Sequence, residues 1–159
     1  MEISQLIVKD GDLCQATEQY IVHQCNCVKR SAKGLAATLF EKFPYSECYK
    51  SRTQDDIPGT IKVCGNGSNQ RYIINLFGQF TAGKPRNPKD TKEMRLQYFN
   101  TCLDQISKIP NLQSIAFPYR IGCGLAGGDW EDYQAALENF AAVVKVPVVL
   151  YKLEEKQKS

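Results

Sequence analysis

Four glycines fall within seven positions, Gly122, Gly124, Gly127 and Gly128, and this cluster most constrains what the chain can fold into. Backbone so free of side chains cannot continue a strand or a helix, so it must be a tight loop that brings main chain close to something else. The loop lies in Tyr119 to Trp130, after an apolar run from Ser114 to Pro118 and before a helical pattern from Glu131 to Val143. The same order of strand, small-residue loop and helix start recurs from His23 to Ala36. Free N–H groups at a helix start favour negative oxygen, so each loop reads as a phosphate cradle. If the two preceding strands run parallel, both loops meet at one carboxyl edge, where open α/β sheets hold ligands. The competing reading is a pair of tight turns with no ligand.

Periodicity along the rest of the chain switches repeatedly between strand and helix, the mark of an α/β fold. Strands are expected over Ile3 to Val8, Tyr20 to Cys25, Thr60 to Cys64, Arg71 to Phe77, Ser114 to Pro118 and Pro147 to Leu153. The turn-rich stretch Gly65-Asn66-Gly67-Ser68-Asn69 makes the third and fourth of these a hairpin, so the sheet should be mixed. Helices are expected over Lys33 to Phe43, stopped by Pro44, and from Asp90, with Glu93 completing a capping box and Met94, Tyr98, Cys102, Ile106 and Ile109 on one face. Phe80 to Lys89, with its Gly and Pro residues, reads as a mobile loop. One domain over residues 1–153 and a frayed tail over 154–159 are expected from 159 residues with 43% hydrophobic content.

Charge and cysteine content exclude several classes. A net charge of +3, with basic residues dispersed rather than gathered in a stripe, argues against nucleic acid as a partner. No apolar run reaches eighteen residues and the N-terminus lacks a signal pattern, so a cytoplasmic or nuclear protein without membrane contact is expected. Seven cysteines, an odd number, read as free thiols. His23, Cys25 and Cys27 alternate on a strand and would share one face, but no fourth ligand is visible, so no metal is expected. Gly122, Gly124 and Gly127 spell G-x-G-x-x-G, yet the unit comes next to last and Pro147 stands where a Rossmann acid belongs. Ala32-Lys33-Gly34-Leu35 lacks the Gly-Lys-Ser/Thr of a P-loop.

Taken together, Val8-Lys9-Asp10-Gly11-Asp12-Leu13, then Gln24-Cys25-Asn26-Cys27 leading to Gly34-Leu35-Ala36, and Pro118 through Trp130 resemble a macro domain over nearly the whole chain. The branch it most resembles contains ADP-ribose 1″-phosphate phosphatases and the terminal ADP-ribose protein glycohydrolase. The resemblance implies a three-layer α/β/α fold with a mixed central sheet, an ADP-ribose cleft, no cofactor and a monomer. By position it implies that Asp12 takes the adenine amino group with Leu13 beside it, and that Asn26 faces the distal ribose. Ser31, Ala32, Lys33, Gly34 and Leu35 would form the first phosphate loop, stiffened by Ala32 where many relatives carry glycine. Ile121, Gly122, Cys123, Gly124, Leu125 and Ala126 would form the second, and Tyr151 would lie beside adenine or in the core.

The glycohydrolase branch uses a lysine and an aspartate whose positions fall here at Gly78 or Gln79 and at Ala126, with Lys84 nearby but out of register. The candidates for catalysis are therefore Asn26, Asp129 and His23. Asp129 precedes a helix and could equally cap it, and His23, the sole histidine, could equally be a satisfied core residue. Three functions follow: dephosphorylation of ADP-ribose 1″-phosphate as the leading one, a non-catalytic reader of ADP-ribose or ADP-ribosylated protein, and a hydrolase releasing ADP-ribose from protein.

Overall fold

Continuous burial along the central strands and one-sided burial on the helices divide the chain into three layers in the computed structural model, which describes residues 6–153. Six strands, β1 (Leu6–Asp10), β2 (Tyr20–Cys25), β3 (Ile61–Cys64), β4 (Tyr72–Phe77), β5 (Ile115–Pro118) and β6 (Val148–Lys152), form one sheet in the order β1-β6-β5-β2-β4-β3. Only β3 runs antiparallel, against β4. β2 and β4 are covered on both faces, as continuous apolar runs in a parallel sheet require, whereas β1 is exposed along most of its length as an edge.

Residues pointing to one face, among them Val22, Ile74, Leu76, Phe117 and Leu150, pack on α2 (Lys92–Ser107) and α3 (Trp130–Val144) through Phe99, Ile106, Tyr133, Leu137 and Phe140. Their neighbours Ile21, Ile73, Ala116 and Val149 point the other way, onto Leu39 and Phe43 beside α1 (Gly34–Lys42). The expected α/β/α layering and mixed sheet are thus present. All seven cysteines are buried and free. Among the described residues no helix is long and apolar enough to cross a membrane.

Two details differ from expectation. The second helix starts later than Asp90: Thr91 is the N-cap, its side chain accepting from the N–H of Met94. Asp90 is instead fully buried and paired with Arg95, so the core face is Arg95, Phe99, Cys102, Leu103 and Ile106, rotated from the expected Met94 and Tyr98 stripe. A buried arginine on the inner face has no apolar signature, which is why periodicity missed it. The first strand is described over Leu6–Asp10, and the expected Ile3 to Gln5 portion and the tail over 154–159 lie outside the described residues.

Candidate functional site

The parallel strands send the loops after β2, β4 and β5 to one carboxyl edge, where they enclose a cleft of about 600 Å³. One wall is the β2–α1 loop. Lys33 occupies the N-cap of α1 without a side-chain cap hydrogen bond, and Gly34 enters the helix at φ +57°, a conformation glycine adopts without strain. The first-turn residues Gly34, Leu35 and Ala36 line the cleft with Lys29, Ser31 and Lys33. The start of α1 therefore offers uncapped N–H groups to an anion.

The second wall is the glycine loop after β5. It closes on itself through Gly128 N–H to Gly122 O (2.9 Å) and Gly127 N–H to Gly124 O (3.2 Å). Gly122 takes φ +80° and lies so close to Tyr133 that a Cβ there would stand 2.4 Å from the ring. Gly124 meets nothing: a Cβ there would project into open space. Among the described residues no main-chain carbonyl takes up the N–H groups of Gly124, Leu125 and Ala126, all of which line the cleft. Ile121 and Cys123 also line it from buried positions.

At the floor, Asn26 is held rigidly. Its Oδ1 accepts from the N–H groups of Val28 (3.2 Å) and Lys29 (2.9 Å), and its Nδ2 donates to the Tyr49 hydroxyl (3.3 Å). Tyr49 Oη also accepts from the Asn26 main-chain N–H (2.9 Å), and burial first of all pushes its ionisation up, so it stays a neutral phenol. Beside it, Gln24 Nε2 donates to Gln79 Oε1 (2.7 Å), and Gln79 Nε2 donates to Thr81 O (2.9 Å). Gln79 fills part of the floor where a branch lysine was sought, and Lys84 does not line the cleft.

Among the described residues, the charged side chains lining this cleft are four cations, Lys29, Lys33, Arg86 and Arg120, with no carboxylate and no imidazole. Two candidates from the sequence therefore stand elsewhere. His23 is buried beneath the sheet face, its Nε2 2.6 Å from Asn75 Oδ1 and its ring edge-on to Phe40, and burial lowers its pKa to about 4. It does not reach the cleft because its strand position directs it into the layer beneath. Asp129 holds the N-cap position of α3 by backbone angles, yet its side chain makes no cap and pairs with Lys92 (2.6 Å) on the surface. The nearby lysine competes successfully for that carboxylate.

Asp12, Leu13 and Tyr151 do not line the cleft but flank its β5 side, where Tyr119 N–H donates to Tyr151 O (2.9 Å). Asp12 Oδ1 accepts from Cys14 N–H (2.9 Å), Leu13 is in the core, and Tyr151 Oη donates to Glu18 Oε1 (2.6 Å). Ala32 packs beside Cys27 and Phe40 rather than facing the cleft. His23 and Cys25 stay together, the thiol 3.6 Å from the ring, while Cys27 lies beyond the strand and donates to Gln79 O. Arg86, Arg120, Tyr49 and the Gln24–Gln79 pair were not recognised from sequence. A lone arginine in a Gly/Pro loop and a tyrosine reaching back across 23 positions carry no local signal.

No family model matches the chain. The DNA ADP-ribosyl glycohydrolase of Mycobacterium tuberculosis is 26% identical over 150 residues, which cover 89% of this chain and 40% of that protein. The chain thus spans about two fifths of the length of the curated relatives it matches. Among solved structures, the macrodomain of Mycobacterium tuberculosis DarG superposes with a TM-score of 0.71 at 24% identity, covering 92% of this chain and 96% of that one. The chain has the macrodomain fold. A Trypanosoma brucei macrodomain in complex with ADP-ribose shares it with a TM-score of 0.64 at 13% identity, covering 95% of this chain and 64% of that one. Within this macrodomain fold the cleft lies at the carboxyl edge around β5, β2 and β4.

Proposed function

We propose that this chain binds ADP-ribose across the carboxyl edge of its sheet and removes the phosphate of ADP-ribose 1″-phosphate. The observation that carries the reading is the cleft lining, four cations without a carboxylate. The diphosphate of ADP-ribose brings two negative charges, and a terminal phosphate monoester adds about −1.5 to −2 at neutral pH. A substrate with both kinds of phosphate matches such a lining better than ADP-ribose attached through an uncharged linkage. In this reading the resemblance supplies the orientation: Asp12 and Tyr151, beyond β5, are on the adenine side, the two loops take the diphosphate, and Asn26 with Tyr49 and Gln79 faces the distal ribose.

In this reading the uncapped start of α1 and the free N–H groups of the glycine loop hold the diphosphate. Asn26 Nδ2, fixed by Tyr49, orients the distal ribose or the attacking water. Water adds to phosphorus as the bond from phosphorus to the C1″ oxygen breaks, and its proton passes by way of a phosphate oxygen of the substrate to the departing C1″ oxygen, which leaves as the hydroxyl of free ADP-ribose, the lining among the described residues having no carboxylate or imidazole to carry it. Lys29 and Arg86 supply positive charge to the departing phosphate.

The same lack of an acid or base in the lining favours a second reading, a non-catalytic reader of ADP-ribosyl groups. One experiment separates them. The protein is incubated with ADP-ribose 1″-phosphate, mono-ADP-ribosylated protein and ADP-ribosylated DNA, while phosphate and ADP-ribose release are followed and ADP-ribose binding is measured by calorimetry. Phosphate release from the first substrate alone is the expected result. Binding without turnover makes the chain a reader, release of ADP-ribose from protein or DNA makes it a glycohydrolase, and no binding at millimolar ADP-ribose overturns the whole proposal.

A further inference from the structure

Two of the loops that line the cleft, the one after β4 and the glycine loop after β5, come from segments some 40 positions apart in sequence, yet a side chain outside the cleft lining joins them. Arg95, in the first turn of α2, is 1% exposed. Its Nη1 donates to Gly83 O (2.5 Å) in the loop after β4 and to Ala126 O (3.0 Å) in the glycine loop after β5. Gly83 and Ala126 both line the cleft. The other nitrogen, Nη2, donates to Thr81 O (3.1 Å) and to Asp90 Oδ2 (2.8 Å). Asp90 in turn accepts from the N–H groups of Phe80 (3.1 Å) and Thr81 (2.9 Å), so the carboxylate of this buried ion pair is satisfied, while both terminal nitrogens of Arg95 are engaged.

We infer that Arg95 is a positioning residue that fixes how the loop after β4 and the glycine loop stand against each other, so that ligand affinity depends on a guanidinium that never touches the ligand. A planar fork with five donors can hold three carbonyls and a carboxylate at once in fixed directions, which a lysine ammonium on a flexible stem cannot. The same two loops also come together where a Cβ on Gly127 would stand 3.3 Å from Pro85 and 3.5 Å from Lys84. A direct contact and a buried strut together leave little freedom in the distance between the loops. The choice of ADP-ribose as probe rests on the function proposed above, whereas the strut itself does not.

The experiment compares the parent with Arg95→Lys and Asp90→Asn, reading amide hydrogen exchange together with ADP-ribose affinity and melting temperature. In Arg95→Lys, exchange over residues 78–90 and 119–129 should rise together by tenfold or more, with β2, β4 and β5 unchanged, and the ADP-ribose Kd should weaken at least tenfold. Asp90→Asn is the decisive variant if Arg95→Lys folds poorly. The Asp90 side chain bonds only to Arg95 and, in the loop after β4, to Phe80 and Thr81, and Pro85→Gly, which removes the other contact between the two loops, is measured beside it, so faster exchange at Ala126 to Gly128 in Asp90→Asn but not in Pro85→Gly reaches the glycine loop through Arg95. Exchange that rises in one loop alone, the same rise in Pro85→Gly, or a lower melting temperature with parental affinity, overturns the inference and leaves Arg95 a structural ion pair. If the parent does not bind ADP-ribose, the proposed function fails, and the exchange pattern still decides the strut.

Discussion

Lowering the pH from 7 to about 4.5 should destabilise the protein through His23, and His23→Gln should remove that part of the loss. The Asn75 amide is oriented by its Nδ2, which donates to Ser46 O at 2.9 Å, so its Oδ1 faces the ring and His23 Nε2 carries the proton. A second proton would sit on Nδ1, where the Cys25 thiol at 3.8 Å is a poor acceptor. Burial is the main reason the folded pKa falls to about 4 from 6.5, the Asn75 hydrogen bond opposing it. Between those values the unfolded chain takes up a proton that the folded one refuses. The contribution is therefore complete above about pH 6.5, declines as pH falls, and levels off near pH 4. Across that window it amounts to about 3 kcal/mol, at about 1.4 kcal/mol for each tenfold difference in proton affinity. Urea unfolding of parent and His23→Gln at several pH values between 7 and 4.5 measures it, since the carboxylates cancel in the difference and the glutamine amide can still donate to Asn75. Equal loss of stability in both proteins would refute the reasoning.

Gly124→Val should fold like the parent, since a Cβ there meets open space, yet lose ADP-ribose binding in calorimetry because the branched side chain blocks approach to the loop N–H groups. Gly122→Ala should do the reverse of sparing the fold, costing about 2 kcal/mol or more in chemical denaturation, because its Cβ would enter the Tyr133 ring at a positive φ. Arg86→Gln should raise KM for ADP-ribose 1″-phosphate by about tenfold or more while leaving ADP-ribose affinity within about twofold, as expected for a charged hydrogen bond to the terminal phosphate alone. Asp129→Asn should retain parental turnover and melting temperature, because its carboxylate is exposed, outside the cleft and paired only with Lys92; a hundredfold loss of turnover would return it to the mechanism.

The sequence made the layers and the two loops readable because each rests on a local signal. Tyr20–Cys25 and Tyr72–Phe77 are apolar runs that only a doubly covered strand accommodates, and the glycines at 122–128 announce a backbone that must approach Tyr133 on one side and stay bare on the other. What escaped was set by distance in the fold. Tyr49 acquires its role by reaching Asn26, Arg86 by the return of a long loop, and Arg95 by burial on a face that its polarity would have assigned to solvent. His23 and Asp129 went the other way: both suit acid–base chemistry by type, but side-chain direction placed one beneath the sheet and a neighbouring lysine drew the other outward.

The seven buried thiols have a consequence for watching this protein open. Burial drives the Cys27 and Cys102 thiols up to about 12 and Cys123 to about 11, and Cys48, lowered first by its hydrogen bond with Cys25, is itself buried, so the folded protein exposes little sulfur to an aromatic disulfide reagent. Each cysteine then reacts only when its own surroundings part, and the seven act as clocks at fixed addresses. Cys64 on the edge strand β3 and Cys123 in the glycine loop mark the first breathing of the periphery. Cys25 at the end of β2 and Cys102 inside α2 strike only when the sheet and its covering helices separate.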